Sequence, residues 1–307
     1  MKVKLFYTTG NRDIEEIIWD KPEPTADQIE VQNIMTGVCS SDVAMFTGEF
    51  PTLPKQIQGH EGLGKVTKVG KNIEGISVGD YVATRGEPAF ADYYNANIEE
   101  FVKVPKADPK YILEPVACGI NIADALDTVG SVAIIGSGFL ARIVHHELKR
   151  RNFTDITVYG KAYPEYWSKQ KVTQVKNTGH HLTRKMAKPF ELPVGKMNFD
   201  YVIDFSNKPH YMNSGYVNEN GIYVVAAEKK VELDLSKYLW NNITIKCPSP
   251  RNKNFYNCMR LARELIASGT LKIDDMWGQS YHRDDAKIAF ENRLNGNDRE
   301  RSYIVWQ

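Results

Sequence analysis

The sequence predicts an α/β protein in which a doubly wound parallel-sheet unit is inserted into a β-rich unit. Three observations predict it. Short strand-like runs separated by turn residues fill the first third of the chain. From about Glu114, apolar runs of strand length alternate with helical stretches, which is the pattern of a parallel sheet. After Pro250 an amphipathic helix and a strand-like tail return to the first unit. The expected division is 1–115 for the first part of the β-rich unit, 116–252 for the parallel-sheet unit and 253–307 for the return.

The elements follow in order. Residues 31–35, 64–69 and 80–84 read as short strands, with turns at Lys71-Asn72 and Gly79-Asp80. In the second unit the strands are expected at 131–135 (SVAII), 156–159 (ITVY), 201–205 (YVIDF), 221–227 (GIYVVAA) and 243–247 (ITIKC). Residues 142–151 fit a helix between the first two of these. The stretch 163–198 lacks a strand and a helix of ordinary length. Phe255, Cys258, Met259, Ala262, Leu265 and Ile266 stand at helical spacing, and Gly269 is placed to end that helix. Residues 303–306 read as a closing strand.

Composition narrows the function. The chain has 307 residues, enough for about two domains. With 39 basic and 38 acidic residues the net charge is +1, which gives no electrostatic case for a nucleic-acid or anionic-membrane partner. No run is long and apolar enough for a signal peptide or a membrane span. Cys39, Cys118, Cys247 and Cys258 are scattered, without a CxxC pair, so a reduced cytoplasmic setting is expected rather than a disulfide scaffold.

Gly136-Ser-Gly138-Phe139-Leu140-Ala141 follows the strand SVAII and opens a helix. This strand–turn–helix context turns a weak glycine motif into a dinucleotide site. Gly136 permits the tight turn, Gly138 lets the backbone approach a pyrophosphate, and Ala141 allows close helix–strand packing. Phe139 and Leu140 begin the helix whose N-terminal N–H groups face the phosphates. The next strand ends Tyr159-Gly160-Lys161, without the acid that binds both ribose hydroxyls of NAD. Glycine leaves room and Lys161, or else Lys169, supplies charge for a 2′-phosphate, so NADP(H) is favoured over NAD(H). If Lys161 is an ordinary solvated residue, NAD remains open.

Three segments carry donors for a metal: Cys39 in GVCSSD, His60 and Glu61 in GHEG, and Glu114 before Pro115. A catalytic zinc takes three or four such N, S or O donors with one exchangeable position. Singly, each has a bland explanation as a buried thiol, a solvated loop pair or a surface turn, and spacing alone does not make them converge.

At these residues the chain resembles the medium-chain, zinc-containing alcohol dehydrogenases. The resemblance runs through GVCSSD, GHEGLGKVTKVGKNIEGISVGDYV, EPVACG, GSGFLA and FDYVIDFSN to the closing LIASGTLKIDDMWGQSYHRDDAKIAFENRLNG. It implies a GroES-like catalytic domain with a Rossmann domain, and an oxidoreductase acting on CH–OH groups. Cys39, His60 and Glu114 match that family's zinc ligands, with glutamate in the third place as in polyol dehydrogenases. Glu61 matches a glutamate that binds the zinc or exchanges with water. Ser41 matches the hydroxyl that bonds the substrate oxygen and passes its proton, and Asp42 the acid that orients the histidine. Cys118 is not expected to be a ligand.

Two departures stand out. The cysteine lobe that holds a structural zinc in many members would fall between Thr84 and Phe90, where only TRGEPAF stands, so one catalytic zinc and no structural zinc is expected. The chain is also short, and the pairing of a glycine–lysine strand end with that frame is similar, more weakly, to ribulose-5-phosphate reductases. The cationic loop 248–253 offers a place for a phosphate, or is an ordinary polar connection. His145 and His146 are expected to pack or face solvent rather than to catalyse. The substrate is expected to be a small alcohol, polyol or ketone, and the resemblance implies a homo-oligomer, dimer or tetramer. The rival readings are a zinc-free NADPH quinone or enone reductase of the same superfamily, and a non-catalytic nucleotide-binding protein.

Overall fold

The computed structural model describes residues 1–51, 58–86, 88–170, 172–175, 198–206, 216–227, 232–233, 235–298 and 300–307. Their elements begin with β1 (Lys2–Thr8), β2 (Ile14–Asp20), β3 (Gln28–Gly37), α1 (Ser40–Phe46), β4 (Glu61–Val69), β5 (Tyr81–Arg85), β6 (Tyr93–Asn97), β7 (Phe101–Val104) and α2 (Glu114–Ala123). There follow β8 (Val132–Ile135), α3 (Phe139–Arg150), β9 (Ile156–Tyr159), α4 (Pro164–Ser168), β10 (Thr173–Val175), β11 (Phe199–Asp204), β12 (Val217–Val225), α5 (Leu235–Trp240) and β13 (Thr244–Lys246). The chain closes with α6 (Phe255–Ala267), β14 (Trp277–His282), α7 (Ala286–Asn295) and β15 (Arg301–Val305). Two compact units result: Met1–Ala117 with Tyr256–Gln307, and Cys118–Phe255.

The first unit is built on a mixed sheet ordered β14-β15-β3-β4-β5-β7, with β6 also paired to β3. Its register places Thr36 opposite Gly62, and Gly37 opposite Tyr303. The end of β3, the start of β4 and the start of β15 therefore lie side by side, though they come from three distant parts of the chain. An aromatic cluster fixes α1 beside them. Val43 and Phe46 of that helix pack with Phe6, Phe90, Phe290 and Trp306. The Phe6 ring stacks on Phe90 at 4.7 Å and on Trp306 at 5.4 Å, and Phe46 stacks on Phe290 at 5.3 Å. Each such ring is worth about 1.5–3 kcal/mol on leaving water, so the start of α1 is well anchored.

The second unit is a parallel sheet ordered β10-β9-β8-β11-β12-β13. The sequence order reverses between β8 and β11, and in open parallel sheets a dinucleotide binds at the carboxyl ends of the strands beside such a reversal. All four residues of β8, VAII, are buried, which is why the run carries no polar alternation. Val132 and Ile134 join Val144, Leu148, Phe153, Ile156 and Val158 in one core on one face. Ala133 and Ile135 join Tyr159, Val202 and Tyr223 on the other.

The α/β architecture is the expected one, with local differences. Helix α3 starts at Phe139 rather than at 142, because Gly138 itself is the residue before the first helical turn. Strand β12 starts at Val217, four residues before the apolar run; the apolar pattern does not mark its VNEN segment, in which Glu219 and Asn220 are exposed. In the stretch expected to be irregular, α4 has 5 residues and β10 has 3. Residues 176–197 of that stretch lie outside the described residues. No helix among the described residues is long and apolar enough to cross a membrane.

Candidate metal centre and dinucleotide turn

Cys39, His60 and Glu61 each offer a donor atom within 4.8 Å of the others. Local structure explains how they meet. Cys39 is the residue before α1, with extended backbone at φ −82° and ψ 156°. The Asp42 carboxylate accepts from the Cys39 backbone N–H at 2.8 Å and so ties the thiol-bearing residue to the helix start. His60 and Glu61 lead into β4, which the sheet holds against β3. Glu61 reaches the cluster only because position 37 has no side chain. A Cβ on Gly37 would collide with the Glu61 carboxylate.

Polar neighbours complete the cluster. His60 Nδ1 stands 3.6 Å from Asp42 Oδ1, and His60 Nε2 stands 3.9 Å from Glu61 Oε1. Asp42 and Glu61 are fully buried, and His60 is partly exposed. Burial pushes the Asp42 carboxyl up to about 6, against the pull of the His60 charge. Burial disfavours the charged form of His60, but the Asp42 carboxylate and then Cys39 and Glu114 hold its pKa well above the usual histidine value. The pocket is thus one that favours a positive charge. Asp42 Oδ1 is buried without a hydrogen bond and faces the His60 ring. A thiol, an imidazole and a carboxylate around such a pocket form a donor set that fits zinc.

The remaining expected residues fall as follows. Glu114 is the first residue of α2 and is buried, not the surface turn that a lone Glu-Pro suggests. It acts electrostatically on His60 and Arg301 but lies outside the close trio. Ser41 is partly buried in the first turn of α1, two residues from Cys39. Cys118 is partly buried in α2. Among the described residues Arg301 is the neighbour that sequence reading missed. Its Nε donates to Glu61 Oε2 at 3.1 Å, its terminal nitrogen bonds Glu61 Oε1, and the pair is buried. The available signal was a lone arginine at the head of a strand whose other residues are largely buried, but nothing near it in sequence names its partner.

In the second unit, Gly136 has φ 106° and its N–H donates to the Tyr159 carbonyl at 2.8 Å. A Cβ at Gly138 would enter open space before the first turn of the 12-residue α3. Open space at the start of that helix fits a pyrophosphate. Phe139 is buried and Leu140 partly buried at the start of that helix. Gly160 packs on Ser137 and Lys161 is exposed. His145 is buried against Trp167, and His146 is partly buried. The 248–253 loop is largely braced by its own hydrogen bonds, among them Asn252 Nδ2 to the Ser249 carbonyl at 2.8 Å and Arg251 N–H to Ser249 Oγ at 3.1 Å.

Residues 25–106 match the alcohol dehydrogenase GroES-like domain. D-arabitol-phosphate dehydrogenase of Enterococcus avium is 23% identical over 90% of this chain and 90% of its own length. Sorbitol dehydrogenase of Halalkalibacterium halodurans is 34% identical over 27% of this chain, which is 23% of its own length. The fold is shared with 2R,3R-butanediol dehydrogenase from Bacillus subtilis, at a TM-score of 0.75 and 16% identity, covering 99% of this chain and 100% of the other. A GroES-like domain followed by a Rossmann-type parallel sheet is the architecture of the alcohol dehydrogenases. Residues 25–106 therefore carry an alcohol dehydrogenase GroES-like domain, and along its length the chain is similar to alcohol and polyol dehydrogenases.

Proposed function

We propose that the protein is a zinc-dependent oxidoreductase that moves a hydride between NADP(H) and a polyol, a secondary alcohol or a sugar-type carbonyl. The observation that carries this reading is the convergence of Cys39, His60 and Glu61 within 4.8 Å beside a buried Asp42. Cys39, His60 and Glu114 would hold the ion, with Glu61 within reach of the same position. A bound zinc supplies Lewis acidity at the substrate oxygen, and the nicotinamide ring supplies or accepts the hydride.

The chain's own residues do the rest. Ser41 hydrogen-bonds the substrate hydroxyl and relays its proton outward, accepting one proton as it gives up its own. Asp42 faces the far nitrogen of His60 and keeps the ring turned to the pocket. Gly136, Gly138, Phe139 and Leu140 form the pyrophosphate turn. Gly160 and Lys161 leave room and charge for a 2′-phosphate. Glu114 in the third ligand place, with sorbitol and arabitol-phosphate dehydrogenases among the relatives, supports a substrate with several hydroxyls.

The test is a metal assay joined to a substrate panel. Zinc should copurify in stoichiometric amount, and a chelator should stop NADPH-linked turnover of polyols or their ketones. Cys39→Ser should lose turnover while binding NADPH with near-native affinity. Full activity in Cys39→Ser, or a metal-free protein that turns over quinones or enones instead, overturns the reading.

A further inference from the structure

The segment after β9 is held by an unusual set of contacts, all within the second unit. The buried Arg142 guanidinium lies 4.1 Å from the Tyr166 ring centroid and 5.0 Å from that of Tyr163. Tyr163 has left-handed backbone at φ 51° and ψ 50°, a conformation a bulky residue adopts only under constraint. Tyr166 is held in turn by His145, whose Nδ1 lies 3.2 Å from the phenol oxygen. The same segment is fastened to the glycine turn. Ser137 Oγ donates to the Ala162 carbonyl at 3.0 Å, and Trp167 Nε1 donates to the Ser137 carbonyl at 3.1 Å. A Cβ on Gly160 would strike Ser137, so the two strand ends approach as closely as backbone allows.

We infer that Arg142 is a positioning residue for cofactor choice: its stack with Tyr163 and Tyr166 fixes residues 160–163 so that Lys161 meets the 2′-phosphate of NADP(H). This rests on the NADP(H) reading above. Lys161 is exposed on a long side chain and would otherwise wander among many rotamers and backbone states. Its backbone is pinned on both sides, by Gly160 against Ser137 and by the Ala162 carbonyl on Ser137 Oγ. Beyond them the Arg142 stack holds Tyr163 where the chain turns into α4. Arg142 is buried with its charge against two rings, which also places fixed positive charge beneath the segment that approaches the phosphate. NADH lacks the 2′-phosphate and gains nothing from that arrangement.

The test is calorimetric titration of the full-length protein with NADPH and with NADH, without turnover. In Arg142→Met the dissociation constant for NADPH should rise about tenfold or more, while that for NADH moves less than about threefold. Arg142→Lys, which keeps charge and loses the planar stack, should fall between. Tyr163→Ala removes one face of the stack from a partly exposed position and should shift the NADPH-to-NADH ratio in the same direction, which keeps the test open if Arg142→Met does not fold. Equal weakening of both nucleotides, or no change in either, overturns the positioning role. A wild-type protein that binds NADH as tightly as NADPH refutes the cofactor reading itself, before any variant is compared.

Discussion

Arg301 and Glu61, 240 positions apart, form a buried ion pair at the edge of the candidate metal cluster. The pairing follows from sheet register. Glu61 opens β4 and Arg301 opens β15, and both strands flank β3. Burial opposes the charge on Arg301, but Glu61, then Cys39 and Glu114, hold its pKa above the usual arginine value. A carboxylate that close to a zinc position with an arginine on its other side has two competing partners.

Removing Arg301 should therefore destabilise the metal-free protein. Arg301→Met leaves Glu61 buried without its counter-charge, which costs about 3–5 kcal/mol when such a pair is broken on one side. Urea unfolding after chelation measures it, and Glu61→Gln combined with Arg301→Met should recover part of the loss. A loss under about 1 kcal/mol would mean the pair is solvated in solution.

Asp42 serves two neighbours at once, and one substitution separates them. Its Oδ2 accepts from Cys39 N–H, while its Oδ1 faces His60. Asp42→Asn keeps an oxygen for the backbone contact and removes the charge from the ring. Thermal stability should change little, while zinc affinity falls about 10–100-fold, as when other carboxylate–histidine pairs are broken. Competition with a colorimetric chelator reads the affinity. Unchanged affinity would remove Asp42 from the metal centre.

Much of this was legible in the sequence, for physical reasons that differ by residue. Val132–Ile135 announces a buried parallel strand because both faces are covered, and Gly136 after it is required by the turn itself. Cys39 and His60 were visible as donor types, but their meeting depends on the register of β3 and β4, which the residue pattern does not specify. Glu61 and Glu114 were both expected beside them; Glu61 stands in the close trio, and Glu114 is buried. Arg301 and the Arg142 stack were not legible at all. Each is a long-range partnership, and a single charged residue carries no mark of the group it will face.

Zinc binding should weaken as the solution is acidified. The metal needs a neutral His60, and Asp42, Cys39 and Glu114 favour the proton on that ring against the effect of burial. Protons therefore compete at values where an ordinary histidine is already neutral. Apparent zinc affinity should fall steadily as the pH is lowered from above the ordinary histidine range into it, with proton release on binding measurable by calorimetry in buffers of different ionisation enthalpy. A flat profile across that range would show that His60 is not displacing a proton and is not a ligand.

His145 makes the second unit sensitive to acid for a different reason. Burial, with the nearby charges of Lys149 and His146, lowers its pKa from 6.5 to about 4. The unfolded chain takes up a proton near 6.5, whereas the folded chain resists it until about 4. Folding stability is thus unaffected by this group above 6.5 and is lost as pH falls between the two values, by roughly 3 kcal/mol in all. His145→Gln cannot titrate, so its stability should depend less on pH over that window even if it is lower at neutral pH. Chemical unfolding at a series of pH values compares the slopes. Parallel slopes for the two proteins would show that His145 titrates normally, and that its ring is not sealed between Tyr166 and Trp167 as the geometry places it.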